Sequence, residues 1–293
     1  MPPAIASLED LIAPLTAPEF LELLRRRSIK FHRGSGENRY GDLLTWRSLR
    51  SMIETGAVPA EALRITKDAA VIPPVFYLEN GKMAGDKLDR LLSSGASLVI
   101  ATLSPHVPAL EALCASIGDR TAETIVAGAI ATRGDGGALA YHYDEDDLFI
   151  VQVEGSKRWR VYGPPVQNPV AGMDASSKQQ GEPVFDEVLR PGDFLFLPAG
   201  YWHQCANKRD LSLHLGIFFK PHTAYYAVKS LLAKLMTEEI FRRPLARLEN
   251  STDRTALEAE IKSRLIGQFE SMLSSKPPLA EELSPGRGPA GAR

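Results

Sequence analysis

Leu148-Phe149-Ile150-Val151-Gln152-Val153-Glu154-Gly155-Ser156-Lys157-Arg158-Trp159-Arg160-Val161-Tyr162 reads as a buried apolar strand, a Glu-Gly-Ser turn and a second strand. Side chains alternate along a strand, so Lys157, Trp159 and Val161 share one face and Arg158, Arg160 and Tyr162 the other. The face that joins a cation to an aromatic and a β-branched residue is expected to point inward. A buried ammonium without a partner is costly, so Lys157 should meet an anion. In a barrel mouth that anion is a bound ligand, and a dicarboxylate would satisfy it. The competing reading is a lysine that extends to the surface.

Working outward, the hairpin is preceded by His142-Tyr143-Asp144, and Leu195-Phe196-Leu197-Pro198-Ala199-Gly200-Tyr201-Trp202-His203 follows it. Two imidazoles and one carboxylate are the ligand set of a non-haem iron(II) site, and the same set also accepts zinc or manganese. Residues two apart on a strand project to one side, so His142 and Asp144 can grip one ion. His203, after an apolar strand and a Pro/Gly turn, is the expected third ligand. The competing reading makes Asp144 to Asp147 a solvated acidic loop. Thr132-Arg133-Gly134-Asp135-Gly136-Gly137 reads as a flexible approach to the site. On the last strand, Ser212, His214, Gly216 and Phe218 alternate with Leu211, Leu213, Leu215 and Ile217. The first set faces the polar interior, where His214 either lines the pocket without ligating the ion or is a satisfied interior histidine.

From Glu123 to Phe219 short strands alternate with Gly, Pro and Asp turns, the rhythm of a double-sheet barrel. Before it, Thr16-Ala17-Pro18-Glu19 is a capping box opening a helix to Arg26. A strand at Ser28 to Arg33, a helix near Thr45 to Glu54, strands at Leu63 to Thr66 and Val75 to Leu78, a helix at Lys87 to Ser93, a strand at Leu98 to Ala101 and a helix at Ala109 to Ile117 follow. After Pro221 the pattern is helical. Leu257, Ile261, Leu265, Phe269 and Leu273 form an apolar stripe that packs on its own barrel or makes a dimer interface.

The 293 residues, 44% of them apolar, can bury a sizeable core. With 34 basic against 36 acidic residues the chain has no net basic field, so direct nucleic-acid binding is not expected. Cys114 and Cys205 have apolar neighbours and read as buried thiols, not as a disulfide or a zinc site. No stretch reads as a leader or a membrane span, and the expected location is a reducing cytoplasm.

Tyr141-His142-Tyr143-Asp144, the hairpin from Phe149 to Tyr162, Arg190-Pro191-Gly192-Asp193-Phe194 running on to His203, and Ser212-Leu213-His214-Leu215 together resemble the Jumonji C oxygenases of the cupin superfamily, in their ribosomal-oxygenase-like branch. The resemblance runs from about Pro18 to Phe219. It implies iron(II) held by His142, Asp144 and His203, 2-oxoglutarate chelating the metal, and Lys157 on the distal carboxylate; Ser212 and His214, on the inward face of the last strand, are expected as further co-substrate contacts. Two departures stand out. Gly216 replaces a hydroxyl residue common in this branch, and the C-terminal winged helix of longer relatives is expected to be absent.

The expected fold is mainly β with helical additions: a double-stranded β-helix (jelly roll, cupin-like) over 96–220, an N-terminal α/β elaboration over 1–95, a C-terminal helical segment over 221–275 and a disordered tail over 276–293. The expected activity is an iron(II)- and 2-oxoglutarate-dependent dioxygenase that hydroxylates an amino-acid side chain in a protein or peptide. The alternatives are N-methyl demethylation by the same chemistry and a metal-binding cupin module without turnover.

Overall fold

The structure is a computed structural model that describes residues 5–36, 38–68, 70–134, 136–137, 141–173, 181–207, 210–244 and 251–274. The expected tail at 276–293 lies outside the described residues. The chain divides into two units, Met1–Lys220 and Pro221–Arg293.

In the first unit the helices are α1 (Leu8–Ile12), α2 (Ala17–Arg26), α3 (Trp46–Thr55), α4 (Gly85–Ser93) and α5 (Pro108–Thr121). The early strands are β1 (Lys30–His32), β2 (Arg64–Lys67), β3 (Ala70–Ile72), β4 (Leu78–Glu79), β5 (Lys82–Met83) and β6 (Ser97–Ile100). The later ones are β7 (Thr124–Thr132), β8 (Gly136–Gly137), β9 (Asp147–Glu154), β10 (Lys157–Tyr162), β11 (Phe185–Leu189), β12 (Phe194–Leu197), β13 (Trp202–Asn207) and β14 (Ser212–Lys220). They build an eight-stranded sheet in the order β1-β12-β9-β14-β7-β6-β2-β3 and a four-stranded sheet in the order β11-β10-β13-β8. Every pairing is antiparallel, as in a jelly roll with helical additions.

The large sheet is covered on both faces, which explains why β9 reads as an almost unbroken apolar run. Phe149, Val151 and Val153 on one side join Leu215, Ile217 and Phe219 of β14 and Leu110, Leu113 and Ile117 of α5 in the main core. Phe20 of α2 meets the rings of Phe149, Phe196 and Phe219 at 5.8, 5.3 and 5.5 Å, pinning that helix to the sheet. The helix starts where the capping box places it: the Glu19 amide donates to Thr16 Oγ1 and the Thr16 amide to the Glu19 carboxylate. On the other face, Leu148 and Ile150 pack with Trp159, Val161, Leu189, Leu195, Leu197 and Cys205 between the sheets.

Gly155 makes the β9–β10 turn with φ of +63°, and a Cβ there would lie 1.8 Å from the Leu211 carbonyl oxygen. The tightness of this turn fixes which face of β10 Lys157 occupies.

Several local expectations are corrected. Residues Pro74–Phe76 form a 3-10 turn, where Pro73 and Pro74 remove ladder donors, and only Leu78–Glu79 is strand. Thr132 is not part of a loose approach: it ends β7, is fully buried, and pairs with Ser97 on one side and Ser212 on the other.

In the second unit, α6 (Ala224–Leu235) and α7 (Ser251–Ser274) contact one another. Leu231, Leu235, Ile240 and Leu257 are buried, and Arg264 pairs with Glu238 at 3.1 Å. Of the stripe read from sequence, Leu257 is buried whereas Leu265 and Phe269 are each 39% exposed. No described helix is long and apolar enough to cross a membrane.

Candidate metal centre

Asp144 and the two histidines converge at one mouth of the inter-sheet space. One donor atom from each of His142, Asp144 and His203 lies within 4.8 Å of the others. His142 Nε2 is 3.8 Å from Asp144 Oδ1 and His203 Nε2 is 3.6 Å from Asp144 Oδ2, separations that leave room for an ion between them.

The backbone sets this up. His142 and His203 face each other in an isolated antiparallel bridge, with the His142 amide donating to the His203 carbonyl at 3.1 Å and the His203 amide to the His142 carbonyl at 2.7 Å. The Gly200 amide donates to the Asp144 carbonyl at 2.8 Å, which ties the second half of the pair to the turn before His203. Gly200 has φ of +86°, and a Cβ would lie 2.0 Å from the Val166 carbonyl oxygen. His203 Nδ1 is 3.0 Å from the Tyr201 carbonyl oxygen, so Nδ1 carries the proton and Nε2 keeps its lone pair for an ion. Burial, together with His142 beside it, pushes His203 down to about 4, which keeps the ring neutral and able to ligate.

Further in, Lys157 is 1% exposed, and its Nζ donates to Thr132 Oγ1 at 3.0 Å. None of the ion pairs among the described residues includes it, and burial holds its pKa below the ordinary lysine value. Thr132 Oγ1 is 2.7 Å from Ser97 Oγ, and Gln152 Nε2 donates to Ser212 Oγ at 2.9 Å. Ser97, Thr132, Ser212 and Gln152 form a dry polar row across four neighbouring strands of the large sheet, opposite Lys157. His214 is 2% exposed and its ring meets Trp159 edge-on at 5.4 Å; burial, then the nearby Lys157, holds it well below the usual imidazole range.

Four buried polar atoms of this chamber have no partner among the described residues: Trp159 Nε1, His214 Nδ1, Asn207 Oδ1 and Gln152 Oε1. Buried polar groups are rarely left unpaired. A cationic lysine, orphaned donors and acceptors, and three metal-type donors in one chamber fit an ion with a small anionic ligand. Of the residues expected from the sequence, His203 and Lys157 line the chamber from the small sheet, Ser212 and His214 from the large sheet, and His142 and Asp144 from the segment before β9. Ser97, Thr132 and Asn207 are not among the residues expected from the sequence. Thr132 had a signal, since it continues the alternation of β7 opposite Ser212, but the partner strand of Ser97 lies 35 residues away and leaves none.

Residues 107–226 match a protein-family model described as the JmjC domain. Among curated proteins, the bifunctional lysine-specific demethylase and histidyl-hydroxylase NO66 of Drosophila willistoni is 36% identical over 147 residues, which is 48% of this chain and 19% of that protein. The NO66 protein of Drosophila persimilis is 26% identical over 253 residues, or 82% of this chain and 35% of that protein. This chain thus spans well under half the length of these relatives. Among solved structures, ycfD from Escherichia coli aligns with a TM-score of 0.60 at 19% identity, covering 88% of this chain and 70% of that one. YcfD, described as a ribosomal oxygenase, in complex with cobalt and 2-oxoglutarate aligns at 0.58 and 18% identity, covering 89% and 70%. The sheet order, the inner chamber and the sequence match agree, and residues 107–226 of this chain are a JmjC domain built on a cupin-like double-stranded β-helix.

Proposed function

We propose that this protein is an iron(II)- and 2-oxoglutarate-dependent dioxygenase that hydroxylates an amino-acid side chain in a protein or peptide. The observation that carries the reading is the pairing of a two-His-one-Asp donor set within 4.8 Å with a fully buried lysine in the same chamber. Such a set would hold iron(II) and leave positions open for a co-substrate and dioxygen. Iron(II) with 2-oxoglutarate and dioxygen supplies an oxidant for C–H bonds, with succinate and carbon dioxide as by-products. His142, Asp144 and His203 hold and orient the ion. Lys157 pairs with the distal carboxylate, and Ser212, His214 and Trp159 offer the remaining polar contacts. The apolar wall of Leu148, Ile150, Val161 and Leu195 excludes water from the reacting centre.

N-methyl demethylation is the second reading, favoured by the double name of the Drosophila relatives. The near-balanced charge supports a protein rather than a nucleic-acid substrate. Two buried, unpaired cysteines suit a reducing cytoplasm. The exposed Leu265, Ile266 and Phe269 on α7 support a homodimer through the C-terminal helices. Residues 96–220 are taken as the catalytic barrel, 1–95 as its elaboration and 221–275 as the dimerisation segment.

The test is an anaerobic titration with iron(II) and 2-oxoglutarate, followed by oxygen and a succinate assay. Wild type is expected to bind both and release succinate, and His142→Ala to release none. A wild type that binds no 2-oxoglutarate and makes no succinate overturns the oxygenase reading, and a Lys157→Ala variant that binds it with unchanged affinity removes Lys157 from the site.

A further inference from the structure

An aromatic residue precedes each of the three metal-type donors, Tyr143 doing so for Asp144. Tyr141 and Tyr143 flank His142, and Trp202 precedes His203. Because neighbours on an extended chain point to opposite sides, these rings lie behind the donors, on the outer face of the small sheet. Tyr141 stacks on Trp202 with centroids 4.8 Å apart and planes 11° from parallel. Tyr143 meets the same indole edge-on at 4.9 Å and 84°. Tyr162, opposite Trp202 in the β10–β13 register, meets Tyr141 edge-on at 5.2 Å, and Gln204 Nε2 donates to its hydroxyl at 2.7 Å. Trp202 is 2% exposed.

This pile sits where the ladder is thinnest. Residues 141–144 belong to no named strand, yet they carry two of the three donors. Their backbone is tied by the reciprocal His142–His203 bonds and the bond from Gly200 to Asp144. A two-bond bridge opens readily unless side-chain packing closes it. The rings supply that packing from behind, on the two residues that bracket His142 and the one that precedes His203.

We propose that Tyr141, Trp202 and Tyr143 form a positioning clamp that keeps the His142–His203 bridge closed and so holds the donor set ready for its ion. A methyl-ammonium cage is the rival use of such rings. The facing surfaces of Tyr141 and Trp202 are in mutual contact, whereas a caged cation needs ring faces that are free. The clamp rests on the proposed metal-binding role of His142, Asp144 and His203, and its test separates the two.

Amide exchange at His142 and His203 in metal-free protein reads the clamp directly, and cobalt(II) titration reads its consequence. Trp202→Leu keeps an apolar side chain but removes the stack. It is expected to speed exchange at both amides about tenfold or more and to weaken cobalt(II) binding by about 10–100-fold, the usual penalty for losing a group that orients a ligand. Trp202→Phe restores a ring and should return both readouts to within about threefold of wild type. Tyr141→Leu, at a half-buried position, should reproduce the effect, and it carries the test alone if Trp202→Leu does not fold. Unchanged exchange in these variants overturns the clamp, as does a uniform rise that includes core amides such as Ile150 and Leu215, or a Phe variant as impaired as the Leu one. If wild type binds no cobalt(II), the metal reading fails by itself, and the amide exchange still decides the clamp.

Discussion

Lys157 is the residue whose chemistry is most strained by its surroundings. It is fully buried against a threonine hydroxyl, and burial lowers its pKa from 10.5. Between that lowered value and 10.5 the unfolded chain holds the extra proton. The ligand-free protein therefore gains stability as pH rises through this window and loses it as pH falls. Lys157→Met should stabilise the ligand-free protein by about 1–4 kcal/mol, most at the acid end, while abolishing 2-oxoglutarate binding. Thermal melts at several pH values, paired with calorimetric titration of 2-oxoglutarate, check both halves; a variant less stable than wild type throughout would mean the ammonium is well satisfied where it lies. Glu123 has the opposite sign. Burial, then Asp147 and Asp146, pushes it up to about 7, and its Oε2 has no partner among the described residues. Its contribution is present below 4.5 and lost as pH rises through about 7. Glu123→Gln should thus melt with wild type at pH 4.5 and above it at pH 8, and equal melting temperatures at pH 8 would refute the assignment.

At the level of elements, the β9–β10 hairpin does most to build the chamber. Gly155 →Ala would force a Cβ into the Leu211 carbonyl at a positive φ, so the turn must open and the register of β10 must shift. The expected cost is about 2–4 kcal/mol in denaturant unfolding. A loss under about 1 kcal/mol would show that the turn relaxes without moving Lys157. The same hairpin explains what was legible in the sequence. Strand alternation fixes the inward face of β10 from its own letters, whereas the expected strand under His142 and Asp144 is only an isolated bridge at His142, with Asp144 held by the Gly200 amide. The hydroxyls that complete the wall do not follow from any local rule. Ser97 meets Thr132 only because β6 and β7 pair in one register, and the glycines after Thr132 hide the end of its strand. The 3-10 turn at Pro74–Phe76 escaped for a related reason, since its apolar residues match a strand while its prolines do not.

For the whole molecule, the division at Lys220 separates chemistry from surface. All seven residues proposed for the metal and co-substrate lie before it, and the main core runs from Ile5 to Phe219. After it, Tyr225, Val228, Leu232 and Met236 leave α6 with an exposed apolar stripe, and Leu265, Ile266 and Phe269 do the same for α7. Stripes of this kind on amphipathic helices are ordinarily covered, and a second copy is the proposed cover. Two results follow if the units are separable in this way. A chain ending at Lys220 should fold with a single cooperative melt, bind cobalt(II) with wild-type affinity and run as a monomer in light scattering, whereas the full chain should run as a dimer. The double variant Leu265→Glu, Phe269→Glu should make the full chain monomeric without changing cobalt(II) affinity. A truncated chain that unfolds would show that the barrel depends on the C-terminal helices, and a full chain already monomeric at micromolar concentration would leave the stripes to some other partner.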